Sequence, residues 1–494
     1  MNASRSRTVA PPIVENVVIR ASAGTGKTFQ LSNRFIALAC AGQPVEQILA
    51  VTFARKAAGE IVDRILLRVA EAALDPSKAR ELAQCVGAPS FDSSAWRAQL
   101  KRLVQRLSRL RIGTLDSFFV QWASHFSLEL GLPPGWRIID ELSEAAVRSE
   151  AIRTVLERHK AIEMVALLQL LSKGEVRRSV TDEISETVIQ LYSLYRETAP
   201  EAWRSLPRPR RLKPEELNAA IVALAQVELP EHKTWVAKRD ADVEFARIEN
   251  WQAFICDGIA NKIICGETTY CRKPIEPPVV AAYQPLIDQA RAVLVGQLAD
   301  QTEGTWKLLD DFHQAYEQLK LERAGWRFDD INHKLALALA EGKLSDSSYR
   351  LDARLGHLLL DEFQDTSRAQ WEVMRPLAEG VVSDEAGSFL CVGDVKQAIY
   401  AWRGGLSEIF DTVTRQLDGL SQSSLKQSFR SSQAVIDTVN TVFANLAKNE
   451  ALNDDQHPDR YARVRDNWSE SYETHTTARR ELKGHCQLSV APRG

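Results

Sequence analysis

The stretch ASAGTGKT, residues 21–28, decides how this chain is read. NVVIR (16–20) precedes it as an apolar run of strand length. FQLSNRFIALAC (29–40) follows, with Leu31, Phe35 and Leu38 on one helical face. A glycine-rich turn between strand and helix is the setting in which backbone amides wrap a phosphate group. Gly24 and Gly26 let the amides turn inward, the Lys27 ammonium can reach β- and γ-phosphate oxygens, and the Thr28 hydroxyl can ligate Mg²⁺. Ala21, Ser22, Ala23 and Thr25 complete the loop, Ala21 standing where the strict phosphate-loop pattern has glycine.

Working outward, ILAVTF (48–53) reads as a second strand. A helix follows it, with Ala58, Ile61, Ile65, Leu66 and Val69 at helical spacing. This order opens a parallel, doubly wound α/β sheet. The strand pattern resumes at residues 357–360 and 389–392, and an amphipathic helix is expected over 435–446. In LLLDE (358–362), three apolar residues end in two carboxylates at the strand's carboxyl edge, where open α/β sheets bind ligands. Asp361 is expected to hold Mg²⁺, and Glu362 to orient or deprotonate the attacking water.

Composition sets outer bounds. Lys and Arg number 62 against 65 Asp and Glu in 494 residues, a net charge of −3, which excludes a uniformly basic nucleic-acid coat but not a local groove. No apolar run reaches transmembrane length, so no membrane association is expected. Seven cysteines without a CxxC pair point to reduced thiols in the cytoplasm. The basic residues Lys101, Arg102, Arg106 and Arg109 read as a solvated helix face, and LPRPRRLKP (206–214) as an exposed connector.

Further motifs now add up to a recognisable set. DEFQDTSRAQW (361–371) and VGDVKQAIYAWRGG (392–405) resemble motifs II and III of superfamily one DNA helicases of the UvrD/Rep type, nearest the RecB and AddA branch. IRASAGTGKTF is similar to that branch's motif I, VTFARKAAGEI (51–61) to motif Ia, IGTLDSFF (112–119) to motif Ib, and LKQSFRSS (425–432) to motif IV. The resemblance implies ATP as the nucleotide, Mg²⁺ as cofactor, and movement 3′ to 5′ on single-stranded DNA with unwinding at single-strand/duplex junctions in repair or recombination. It also implies that Gln397 senses the γ-phosphate, that Arg430 reaches the phosphates from a second RecA-like domain, and that Phe429 lies against adenine. Phe53, Tyr400 and Trp402 would stack on bases. Thr52, Thr114 and Ser117 would hold the DNA backbone, with Arg403 beside the aromatic pair. Stacking platforms beside phosphate contacts are what single-strand binders use.

The expected organisation is a RecA-like domain in two parts, residues 1–129 and 326–405, interrupted by a mostly helical insertion over 130–325. Residues 406–448 would begin an incomplete second RecA-like domain, and the polar segment 449–494 would begin a further insertion. The chain departs from the family pattern in three places. No Gln precedes the phosphate loop, Asp116 replaces the His common in motif Ib, and nothing after Arg430 resembles motifs V or VI. A fragment of a longer protein is therefore expected, partnered by a nuclease or recombination subunit. The alternative is a non-motor module that binds ATP and DNA and is completed by another polypeptide.

Overall fold

The computed structural model describes residues 15–158, 180–344, 355–397, 409–449, 452, 459–487 and 489. Two compact units emerge, one from residues 1–138 with 326–494 and the other from Ile139–Gly325.

The first unit is built on a six-stranded sheet. Its strands are β1 (Val17–Ala21), β2 (Ile48–Thr52), β3 (Arg111–Thr114), β4 (His357–Leu360), β5 (Ser388–Gly393) and β6 (Ser421–Leu425), in the order β6-β1-β5-β4-β2-β3. Every pairing is parallel, so all carboxyl ends lie along one edge. Apolar runs make the inner strands, because both faces are covered by helices. Val18, Ile48, Ala50, Leu358, Leu359 and Phe389 are fully buried.

Helix α1 (Lys27–Cys40) packs its predicted face, Leu31, Phe35 and Leu38, entirely out of solvent. Each such side chain stabilises the unit by about 1.5–3 kcal/mol. α2 (Arg55–Leu74) does the same with Ile61, Ile65 and Val69, its Leu66 being partly buried. Three further helices cover the sheet or its loops: α3 (Leu115–His125), α4 (Phe328–Ala340) and α5 (Arg368–Val382). Beyond β6 lie a short parallel pair, β7 (Gln427–Ser428) with β8 (Thr476–Thr477), and the helices α6 (Gln433–Ala444) and α7 (Asp459–Ser471).

Residues 406–448, expected to begin an incomplete second RecA-like domain, contribute β6, which pairs with β1 at the margin of the first sheet. Its sequence, SQSSL, is mostly exposed and lacks the apolar signature of a buried strand. The insertion begins at Ile139 rather than residue 130, because Phe126, Leu130 and Leu132 are buried and Trp136 packs edge-on against Trp326 within the first unit.

Among its described residues the second unit is mostly helical, with an antiparallel pair at Thr269–Tyr270 and Lys273–Pro274. Helix Pro277–Arg323 spans 47 residues and joins two hydrophobic cores. One core gathers Trp235, Phe254 and Tyr283, the other Val147, Ile152 and Phe312. The LPRPRRLKP segment has no regular structure until Pro214 opens the helix Pro214–Gln226, and it lies along the long helix. Arg208 pairs with Asp300 and Glu303, and the Leu212 N–H donates to Gln289 Oε1 at 2.7 Å.

Candidate functional site

Three neighbouring strand ends converge. β1 runs into the phosphate loop, β5 ends at Gly393 and Asp394, and β4 ends at Asp361 and Glu362. Adjacent strands lie about 4.8 Å apart, so a side chain must cross β5 to join the outer two. Lys27 is long enough. Its Nζ contacts Glu362 Oε2 directly and stands 3.4 Å from Gln397 Oε1. The loop and the acidic strand end, far apart in sequence, meet in one place.

The loop's shape follows from its glycines. Gly24 and Gly26 take φ of 75° and 92°, left-handed conformations that L side chains rarely adopt. The Thr25 N–H and hydroxyl both donate to the Ser22 carbonyl, at 3.2 and 2.7 Å, closing a tight turn. Gly26 caps α1 without any side-chain acceptor, which leaves the helix's first amides directed at the loop. Gly24 also answers a close approach. A Cβ there would lie 2.7 Å from Arg430 Cβ and 3.0 Å from Ser428 Oγ, while the Gly24 carbonyl accepts from the Phe429 N–H at 2.8 Å. Arg430 is thus beside the loop, on a segment continuous with the first sheet. The Phe429 ring is 56% exposed.

Around Lys27 the acids crowd. Asp361 is 5% exposed, and its carboxyl is pushed up to about 6 by burial and then by neighbouring Glu362. Lys27 and a hydrogen bond with the Thr28 side chain oppose that rise. Burial and Glu362 also raise Asp365 to about 6, and burial raises Asp394. Glu362 sits at φ 50°, a left-handed position uncommon for a non-glycine residue.

Gln364 fastens the arrangement. Its Nε2 donates to Glu362 Oε2 at 2.7 Å, and its Oε1 accepts from the Asp394 N–H at 2.8 Å. Sequence reading passed over Gln364, Asp365 and Asp394. The DEFQD spacing was the available signal, since Gln364 lies one turn past the acidic pair. It also passed over His475, whose Nε2 meets Ser22 Oγ across 453 residues and which no spacing rule could have found.

The proposed DNA-side residues divide. Thr52 and Thr114 are register partners at the carboxyl ends of β2 and β3, on the same edge as the loop. Both are buried. Thr114 Oγ1 accepts from the Ser117 N–H at 3.1 Å, and Ser117 Oγ donates to the Thr114 carbonyl at 2.7 Å, so these hydroxyls cap α3. Phe53 follows β2 and is half-buried. Asp116 is tied inward, accepting from Gln370 Nε2 at 3.0 Å, so that the acid links α3 to α5. Tyr400, Trp402 and Arg403 lie outside the described residues. Arg106 and Arg109 pair with Glu46 at 3.6 and 3.4 Å, consistent with a solvated face.

Residues 1–418 match the UvrD/REP helicase N-terminal domain, which covers most of the chain. Among curated proteins, the chain is 26% identical to a subunit of an ATP-dependent helicase/nuclease from Streptococcus pneumoniae. It is 25% identical both to the exonuclease/helicase protein RexA of the same species and to a subunit of an ATP-dependent helicase/nuclease from Streptococcus thermophilus. Each comparison covers 88% of this chain and 38% of the relative, so the chain spans well under half the length of the relatives it matches. The chain belongs to the UvrD/REP helicase family. Among the described residues, no helix is long and apolar enough to cross a membrane.

Proposed function

From that membership we propose that the chain is the ATP-binding portion of a cytoplasmic DNA motor. It couples ATP hydrolysis to 3′-to-5′ movement on single-stranded DNA and to unwinding at junctions, in repair or recombination alongside a nuclease activity. The observation that carries the reading is the Lys27–Glu362 contact across the end of β5, at the uncapped start of α1.

Lys27 and the α1 amides attract the triphosphate, whose charge displaces the ammonium's present partner. Glu362, released from Lys27 but still held by Gln364, becomes the acceptor for a proton from water. The Thr28 hydroxyl and the Asp361 carboxylate are adjacent hard oxygen donors, the set that suits Mg²⁺. The ion would neutralise charge on the β- and γ-phosphates. Gln397, 3.4 Å from Lys27 Nζ, would follow the loop's contents, and Arg430 would supply a second cation beside Gly24. Phe429, with its half-exposed ring anchored by its own N–H, offers a face to the base.

Single-stranded-DNA-stimulated ATPase on the full chain tests the reading. Stimulated turnover that Lys27→Ala abolishes supports a motor, and streptavidin displacement from 5′- and 3′-biotinylated strands reads the direction. Nucleotide and DNA binding without turnover would overturn the motor in favour of a binding module.

A further inference from the structure

His475 lies after α7, far along the chain from the phosphate loop, yet its ring is packed against that loop. The residue is 7% exposed. Its protonation pattern can be worked out from its neighbours, beginning at Asn440 on α6. The His475 backbone N–H can only donate, and it faces Asn440 Oδ1 at 2.9 Å. The His475 carbonyl can only accept, and it faces Asn440 Nδ2 at 2.9 Å. The amide is therefore oriented at both ends.

The Tyr472 hydroxyl must then donate to Asn440 Oδ1, at 2.5 Å, which leaves its oxygen to accept from His475 Nδ1 at 3.2 Å. With the proton on Nδ1, Nε2 presents a lone pair, and the Ser22 hydroxyl donates to it. Lys396 Nζ, 3.5 Å away, faces the same lone pair. Burial and Lys396 also hold His475 in its neutral form, against the opposing influence of Glu473. Tyr472 is itself stacked on Phe443 of α6, ring centroids 5.3 Å apart.

We propose that His475 is a positioning residue for the triphosphate: it anchors Ser22, and with it the entry of the phosphate loop, to α6 through the relay Ser22–His475–Tyr472–Asn440. The inference rests on the reading that this loop binds a nucleoside triphosphate. The loop's own turn, from Thr25 back to the Ser22 carbonyl, fixes its curvature but not its position relative to what surrounds it. The anchor from outside supplies that position, so the amides need not be ordered when phosphate arrives. It also ties β8, which follows His475 directly and pairs with β7 ahead of Arg430, to the loop that accepts from the Phe429 N–H.

The test is a double-mutant cycle on the full chain, reading MgATP affinity by calorimetry and KM against kcat in the ATPase assay. Ser22→Ala and His475→Ala should each weaken MgATP about fivefold, the value of one neutral hydrogen bond. The double variant should be no worse than either, and KM should move more than kcat. His475→Gln, whose side-chain oxygen can stand in for Nε2, should retain the affinity, while the shorter His475→Asn should not. Ser22→Ala removes one oxygen atom and keeps the measurement meaningful if ring removal disturbs folding. Effects that multiply to about 25-fold, or unchanged affinity in both single variants, would overturn the anchor while leaving ATP binding intact. A wild-type chain that takes up no MgATP would instead overturn the parent reading, and this one with it.

Discussion

The two units treat buried charge in opposite ways. In the helical unit the buried acids have partners that answer them. Tyr283 donates to Asp242 at 2.9 Å, Lys238 bridges Asp242 and Asp257, and Tyr316 donates to Glu144 at 3.1 Å. In the sheet unit, Asp361, Glu362, Asp365 and Asp394 gather around one lysine, and the charge of Glu362 adds to burial in raising the other three carboxyls. Like charges kept together in a poorly solvated place weaken a fold, and they persist where a ligand will use them. One arrangement holds a structure together, while the other is what the proposed ATP site would draw on. Variants that exchange these properties test the contrast.

Glu362→Gln should have the largest effect. The amide keeps the volume and can still meet Gln364 and Lys27, but it cannot take a proton. ATP turnover should fall by about 10²–10⁴-fold, while nucleotide binding survives. Turnover at the wild-type rate would remove Glu362 from the role of base. The thermal midpoint should hold or rise, since one of the crowded charges is gone.

Gly393→Ala comes next. A Cβ there would overlap Gln364 Oε1 and lie 2.7 Å from the Phe410 ring and 3.1 Å from the Phe363 backbone nitrogen. None of these can yield freely, because Gln364 is bonded at both ends and Phe363 is locked edge-on between Trp371 and Phe410. A loss of about 1–3 kcal/mol in urea unfolding is expected from overpacking, with turnover falling as Gln364 releases Glu362. A variant of wild-type stability would mean that the junction of β4 and β5 is looser than drawn.

These residues also mark where sequence reading stops. The loop, the acidic strand end and helices α1 and α2 were legible because apolar runs and 3.6-residue spacing are properties of neighbouring residues. The placement of β6 was not, since SQSSL is a polar edge strand held by backbone hydrogen bonds to β1, with Leu425 alone of its residues packed on the core. Thr114 and Ser117 matched a motif and Asp116 departed from it, but the structure shows what their side chains do locally, capping α3 and tying it to Gln370. Gln364 and His475 act through tertiary partners, and no periodicity connects Ser22 to a residue 453 positions away.

Acid should separate the behaviour of a third kind of buried group. His357, at the start of β4, is 1% exposed. Its Nδ1 meets Ser388 Oγ at 2.9 Å, and burial, then Arg34, lower it to about 4. The unfolded chain takes up this proton near pH 6.5 and the folded one only near 4. The unfolded state therefore binds more protons between those values, and stability falls as pH drops through that window. The decline in urea midpoint across that window should be shallower in His357→Gln, which has no proton to gain. Parallel slopes would show that this histidine is not what acid attacks.

Tyr283→Phe should be the mildest change and the sharpest check on the helical unit. The hydroxyl's loss leaves the ring packed against Phe254, centroids 6.1 Å apart, and removes one donor from Asp242. Asp242 is already raised to about 6 by burial, with Lys238 and Tyr283 opposing the rise. Without the tyrosine its carboxyl should climb further and protonate more readily, so the unit can answer the lost bond by taking up a proton. The expected cost is about 1 kcal/mol near neutral pH, shrinking toward about pH 5 where the wild-type Asp242 is itself largely protonated. ATP turnover should not change, because nothing around Lys27 depends on this pair. If turnover dropped along with stability, the helical unit's polar pairs would be part of the motor, and the division between a unit that holds and a unit that acts would fail.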